Sequence, residues 1–209
     1  MLLYDYYRSS ACYRVRIALN LKSVAHRSEV VSLIDGAQKE PAYRGKNPQG
    51  LVPALDTGEG PLLTQSLAII DWLDARFPEP RLLPADPAAR ALALAQAMVI
   101  GMDIHPIDNL RVLQYLKHQL HVGDDERDDW YRHWIIEGLA ALEAMAGEGP
   151  YLGGDAPNIA DTFLVPQMYN ARRFATPLGD FPKLVAIDAT AQQHPAFVAA
   201  HPDRVKPAE

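Results

Sequence analysis

Several things are scarce in this chain, and each scarcity excludes something. Cysteine occurs once in 209 residues, as Cys12. No intrachain disulfide can form, which fits a reducing compartment. Positive charge is not in excess: 20 Lys and Arg stand against 26 Asp and Glu, a formal net charge of −6. That balance argues against a general nucleic-acid surface but leaves room for a local basic pocket that takes a small anion. No stretch approaches the roughly 20 apolar residues of a membrane span. The start, MLLYDYYRSS, has no basic segment followed by an apolar run, so no secretory leader is expected. His118 and His121 are three apart, but no third ligand accompanies them, and no metal is expected. No internal repeat or low-complexity tract stands out. The expectation is a soluble cytoplasmic protein with neither nucleic acid nor membrane as partner.

What is present has a clear order. LLYDYY reads as a strand, Ser10 to about Lys22 as a helix, and RSEVVSL as a second strand. VPALDT and PLLTQ flank GEG, a hairpin pattern. SLAIIDWLDARF reads as a helix stopped by Pro78. Pro78, Pro80, Pro84 and Pro87 then mark an extended linker, ending at an Asp86 N-cap with Pro87 in the first helical position. Beyond it nearly everything is helical. A long run from Arg90 to Leu120 should kink at Pro106. A second run follows, with Trp130, Trp134, Gly138 and Leu142 four apart and the tryptophans expected in the core. Asn158 and Asp161 form a variant capping box. A last helix starts near Pro182, and the tail HPDRVKPAE is expected to be loose. The pattern predicts a small α/β domain over 1–78, a linker over 79–87 and an all-helical domain over 88–209.

Three stretches bear on chemistry. In YYRSSACYRVRIAL, Arg8, Ser9 and Ser10 stand at a strand-to-helix turn. A helix start offers free N–H groups and partial positive charge, and it stabilises an anion such as a thiolate. The plainer reading is an ordinary N-cap and its neighbour. In NPQGLVPAL, a cis bond before Pro53 would turn the Val52 backbone outward to pair with an extended peptide; a trans bond opening an edge strand is the commoner case. In LLTQSLAII, Gln65 and Ser66 open another helix, suited to a carboxylate or serving only as a cap. Arg14 and Arg16 are turned away from the serines by helix geometry and read as structural or solvated.

Together these stretches resemble the zeta class of glutathione transferases. SSACYRVRIAL, NPQGLVPAL, TQSLAIIDWL, IHPIDNLRVLQYL and PNIADTFLVPQ follow one another in that family's order across nearly the whole chain. The resemblance implies an α/β thioredoxin-like N-terminal domain, an all-α C-terminal domain and glutathione as cofactor. It also implies a homodimer and an isomerase that acts by thiolate addition, bond rotation and elimination. The expected substrate is a maleyl-keto acid, with maleylacetoacetate going to fumarylacetoacetate. Maleylpyruvate isomerisation, transfer or dehalogenation of small α-halo acids, and a non-catalytic glutathione-binding role are the alternatives. By the same match Ser9 and Ser10 receive the glutathione sulfur, with Ser10 favoured as the thiolate's partner. Val52 pairs with the cysteinyl backbone, Gln65 and Ser66 hold the γ-glutamyl carboxylate, and Gln49, His105 and Asn109 flank the ligand. His105 and Asn109 share a helix face if Pro106 leaves the turn intact. Arg8, Arg111 and Arg173 are the candidates for the substrate's carboxylates, since a guanidinium fork binds both oxygens; Arg172 is a weaker one. One departure stands out: the family's usual Cys after the second Ser is here Ala11, with the cysteine displaced to Cys12. That argues against a cysteine-dependent reductive dehalogenase.

Overall fold

The computed structural model describes residues 1–207. Two compact units emerge. One comprises residues 1–83 together with the C-terminal segment from Gln192, and the other runs from Pro84 to Ala191.

In the first unit, β1 (Leu2–Asp5), α1 (Ser10–Leu21) and β2 (Arg27–Val30) form a βαβ crossover. A short α2 (Pro41–Arg44) precedes the hairpin of β3 (Ala54–Asp56) and β4 (Leu63–Thr64), and α3 (Ser66–Arg76) follows. The sheet order is β2-β1-β3-β4, with β1 parallel to β2 and antiparallel to β3. Register pairs Leu3 with Leu55 and Leu55 with Leu63, so the predicted hairpin forms. Leu3, Val15, Leu55, Ile69 and Leu73 have no exposed surface and make the core.

Two buried cations tie this unit together. Lys22 Nζ donates to Asp74 (2.5 Å) and to the carbonyls of Phe77 (2.7 Å) and Pro80 (2.6 Å). Asp74 in turn accepts from the Leu82 and Leu83 amides. The stretch after α3 is therefore pinned, and Leu82 and Leu83 are buried in the first unit. Both Val52–Pro53 and Glu79–Pro80 are cis. Arg16 pairs with Asp5 at 2.6 Å and donates to the carbonyls of Tyr7 and Ala200. Asn20 donates to the carbonyl of Ala196.

These last bonds explain a departure from the sequence reading. The C-terminal residues do not belong with the helical unit, and the tail is not loose throughout. α9 (Pro195–Ala200) docks on α1 and α10 (Pro202–Val205) on α9, the two capped by the imidazoles of His194 and His201. Residues 208 and 209 of the expected loose tail lie outside the described residues.

The second unit begins as expected, with Asp86 Oδ1 accepting from the Ala89 amide and Pro87 opening α4 (Pro87–Met98). The long run then breaks rather than merely kinks. A π-helical turn spans Val99–Ile104, and a separate α5 runs from Leu110 to His118. Pro87–Ile104 reaches the length and mean hydropathy (1.2) of a membrane span. It carries Arg90 and Asp103, however, and its buried residues Ala93, Ala97, Ile100 and Ile104 lie in a segment packed on its neighbours in this unit. α6 (Asp124–Met145) buries Tyr131, Ile135, Leu139 and Leu142, so its core face is displaced from the Trp130–Trp134 stripe. The tryptophans are half-buried and meet edge to face at 5.7 Å. Gly138 permits the close approach of the π turn, since a Cβ there would lie 2.4 Å from Ile104.

α7 (Ile159–Arg173) is buried along most of its length, and α8 (Pro182–Ala191) follows. The capping box at its start is present. Asn158 Oδ1 accepts from Ala160 at 2.7 Å and Asp161 Oδ2 from Asn158 at 2.8 Å. Asp161 also accepts from the Leu152 and Gly153 amides. Burial nevertheless pushes its carboxyl up to about 6, the amides opposing that rise.

Candidate active site

The first unit gathers one group of candidates around two helix starts. At the start of α1, Ser9 is the N-cap, with its Oγ accepting from the Cys12 amide at 3.2 Å. The same side chain also lies within hydrogen-bond reach of the Cys12 thiol. Ser9 is partly exposed, whereas Ser10, in the first helical position, is 6% exposed. Arg8 is exposed, its guanidinium over the Tyr7 ring at 5.2 Å. Cys12 is fully buried, and burial drives its thiol well above the usual range, so it is no nucleophile.

At the start of α3, Gln65 sits at φ +67° and ψ 119°, a backbone conformation costly for any residue but glycine. Its side chain does not cap the helix; its amide reaches Gln49 Oε1 at 3.0 Å. Gln65 and Gln49 are both exposed, and Ser66 is buried. Neither α1 nor α3 has an acidic residue in its first turn. By contrast α6 carries Asp124, Asp125 and Glu126 there, and α7 carries Asp161. The first turns of α4, α5, α8 and α9 are also free of acids, so what marks α1 and α3 is the serines they carry at an acid-free, partly positive start.

Val52, half-buried beside the cis bond, packs against the cluster of Tyr4, Val31, Tyr43 and Ala54. The loop before it is held rigidly. Tyr43 Oη and Asn47 Nδ2 both donate to the Leu51 carbonyl at 2.7 Å, and a Cβ on Gly50 would stand 2.8 Å from the Gln38 carbonyl.

Sequence reasoning missed Arg14. It is neither solvated nor remote from the candidate residues: 2% exposed, it donates from Nη1 to Ser66 Oγ at 3.3 Å. Burial pushes its pKa down to about 9, which still leaves it charged at neutral pH. The available signal was its place four residues after Ser10, on the same helix face.

The second unit holds the remaining candidates. His105 ends the π turn, and Asn109 caps α5, its Oδ1 accepting from the Arg111 amide at 3.1 Å. Pro106 therefore does separate the two, and they do not share a continuous helix face. Arg111 is exposed. Arg173 is exposed as well, lying over Tyr169 and Phe174 and reaching Asn170 at 3.4 Å. Arg172 is paired with the buried Asp188 at 2.7 Å, a structural role. Between His105 and Asn109 lies a second missed residue. Asp108 is 6% exposed, and neither carboxyl oxygen has a hydrogen-bond partner among the described residues. Burial raises its pKa to about 8.

Comparison with known proteins places this arrangement. Residues 3–81 match the family model of the glutathione S-transferase N-terminal domain. The maleylacetoacetate isomerase of Pseudomonas aeruginosa is 47% identical, over 97% of this chain and 96% of its own length. A holo structure of a maleylpyruvate isomerase, described as a bacterial zeta-class glutathione S-transferase, superposes with a TM-score of 0.97 at 41% identity, covering 100% of both chains. A maleylacetoacetate isomerase from Anaeromyxobacter dehalogenans, with glutathione in its active site, gives a TM-score of 0.89 at 40% identity, covering 100% of this chain and 97% of that one. With identity of this order along its whole length, the chain belongs to the zeta-class glutathione transferases, the family of the maleylacetoacetate and maleylpyruvate isomerases.

Proposed function

We propose that this chain is a glutathione-dependent cis–trans isomerase that converts maleylacetoacetate to fumarylacetoacetate. The observation that carries the reading is the pair of helix starts in the first unit. One bears serine hydroxyls beside an exposed arginine, and the other bears Gln65 and Ser66. Neither has acidic residues in its first turn. Such a donor set fits a ligand with a thiolate at one end and a carboxylate at the other. The first unit forms the glutathione-binding part of the chain and the second, residues 84–191, the substrate part.

When bound, glutathione supplies a thiolate that adds to the cis double bond, frees it to rotate and leaves again. The protein's own tasks are to keep that sulfur ionised, to hold the tripeptide and to anchor an acidic substrate. The N–H groups at the start of α1 and a serine hydroxyl donate to the sulfur. Exposure favours Ser9 over Ser10 for that bond. Val52 offers its backbone to the cysteinyl residue, Gln65 and Ser66 take the γ-glutamyl carboxylate, and Gln49 orients the Gln65 amide. Arg8 is placed for a substrate carboxylate or for negative charge developing on the carbonyl oxygen. Arg111 and Arg173 are exposed cations suited to the substrate's carboxylates, and His105 and Asn109 contribute from the second unit. The active form is a cytoplasmic homodimer.

Maleylpyruvate is the second substrate to consider, because the structural relative with a TM-score of 0.97 is named for it. Isomerisation rates for both keto acids, with and without glutathione, decide the matter. Fast loss of maleylacetoacetate only when glutathione is present is the expected result. No turnover of either, with glutathione still bound, would overturn the reading in favour of halo-acid or conjugation chemistry. Ser9→Ala is expected to lower kcat by about 10²–10³-fold, the usual loss of one donor to a reacting anion. Ser10→Ala should cost less, and the reverse order would return the thiolate's partner to Ser10.

A further inference from the structure

Arg14 is a buried cation whose part the proposed reaction leaves unassigned. It projects from the second turn of α1, and its Nη1 lies 3.3 Å from Ser66 Oγ, at the start of α3. Both side chains are more than nine-tenths buried. A guanidinium has five donors and no acceptor, so in this contact the serine oxygen must accept. The Ser66 hydroxyl proton is then directed away from Arg14 and is free to serve as a donor elsewhere. A fixed positive charge also sits beside the first turn of α3, where the helix start is already positive and the turn itself carries no acidic residue.

We infer that Arg14 is a positioning residue for the carboxylate subsite: by donating to Ser66 Oγ it turns the Ser66 hydroxyl proton toward the ligand's γ-glutamyl carboxylate, and its charge strengthens that subsite. This rests on the assignment of Gln65 and Ser66 to the γ-glutamyl group. Arg14 touches neither the ligand nor the reacting atoms. Its effect belongs to binding of the carboxylate rather than to the sulfur.

The test compares two ligands by titration calorimetry. One is glutathione; the other is its analogue with 4-aminobutyrate in place of the γ-glutamyl residue, which lacks only the carboxylate. Wild-type protein should bind glutathione far more tightly than the analogue. Arg14→Met should weaken glutathione binding by about tenfold to a hundredfold, the range for losing a charge-assisted hydrogen bond. Binding of the analogue should change by less than about twofold, within ordinary context effects. Arg14→Lys should recover part of the loss, since it restores the charge without the fork. The ultraviolet absorbance of the bound thiolate, followed against pH, should be the same in wild type and Arg14→Met. If the methionine variant folds poorly, Arg14→Gln, which keeps polarity at the buried position, makes the same comparison.

Discrimination between the two ligands that survives in the Arg14 variants overturns the inference. Equal weakening of both ligands overturns it as well, because that is what a purely structural role would give. A wild-type protein that binds the two ligands alike fails at an earlier step. It removes the carboxylate from Gln65 and Ser66, and with it the underlying assignment.

Discussion

Asp108 offers a prediction that can be worked through from geometry to assay. Its carboxyl is buried, its two oxygens have no hydrogen-bond partner among the described residues, and its pKa is raised to about 8. In the unfolded chain the same group titrates near 3.9. Between those values the folded protein holds a proton that the unfolded chain has released. Stability must then fall as pH rises, by about 1.4 kcal/mol per pH unit at full coupling. The contribution is complete below about pH 4 and lost by pH 8, an upper bound of about 6 kcal/mol. Partial solvation and local relaxation reduce such penalties, and about 2–3 kcal/mol is the realistic span. Asp108→Asn keeps the shape and removes the titration. Urea denaturation of both proteins at pH 5, 6, 7 and 8 should show the variant gaining on wild type by about 2–3 kcal/mol across that range. Any cost of burying the amide is the same at every pH, so the slope and not the offset is diagnostic. Parallel stability curves for the two proteins would refute the reasoning, showing that Asp108 is ionised and compensated in the native state.

Other consequences are simpler. Lys22→Met leaves Asp74 buried without its partner and should destabilise the protein by about 3–5 kcal/mol, read as a lower midpoint in urea; a change under about 1 kcal/mol would mean that the linker carbonyls do not depend on Lys22. Cys12→Ala should cost about 1 kcal/mol of packing and leave kcat/KM unchanged, and iodoacetamide should label Cys12 only after unfolding. Gln65→Gly relieves a backbone strain of about 1–3 kcal/mol, offset in part by the unfolded-state entropy of glycine. The variant should be as stable as wild type or slightly more so, while losing glutathione affinity. A clear loss of stability would show that the side chain, not the ligand, holds that conformation.

Local chemistry made much of the fold legible. Asp86 followed by Pro87, and Asn158 with Asp161 three residues on, announce helix starts through bonds that span one turn, and both are present in the structure. The hairpin around Gly58 and Gly60 is equally local. What could not be read depends on long-range partners or on phase. The four-residue spacing of Trp130 and Trp134 is satisfied equally by the neighbouring set Tyr131, Ile135 and Leu139, and it is this set that tertiary packing buries. Pro106 signalled an interruption, but the turn before it and the fresh N-cap at Asn109 follow from packing. The C-terminal segment joins the first unit because Arg16 and Asn20 find carbonyls far away in sequence. For the same reason Arg14 passed as an incidental arginine. Its place one turn after Ser10 was the only local signal, and its partner Ser66 is a long way along the chain.

A net negative protein has to solve a specific problem if it is to hold an anionic ligand. Charges at exposed positions are screened within about 8–10 Å, so distant acids matter little and the immediate surroundings decide. The distribution of acids here is consistent with that rule. On α6 the acidic first turn is answered by nearby cations, with Asp124 held by Lys117 of α5 and Arg127 of α6 itself. On α7, Asp161 is committed to backbone amides. At α1 and α3 acids are withheld from the first turn, serines are supplied instead, and one guanidinium is buried against Ser66. A buried charge is screened far less than an exposed one, so at the proposed carboxylate subsite Arg14 would count for more than several surface lysines. Added salt should therefore weaken an interaction that depends on the exposed Arg8 more than one that depends on Arg14. Measured from low to physiological ionic strength, the substrate KM should rise more steeply than the glutathione Kd. An equal rise in both would mean that the carboxylate subsite is open to solvent and that burial of Arg14 does not govern it.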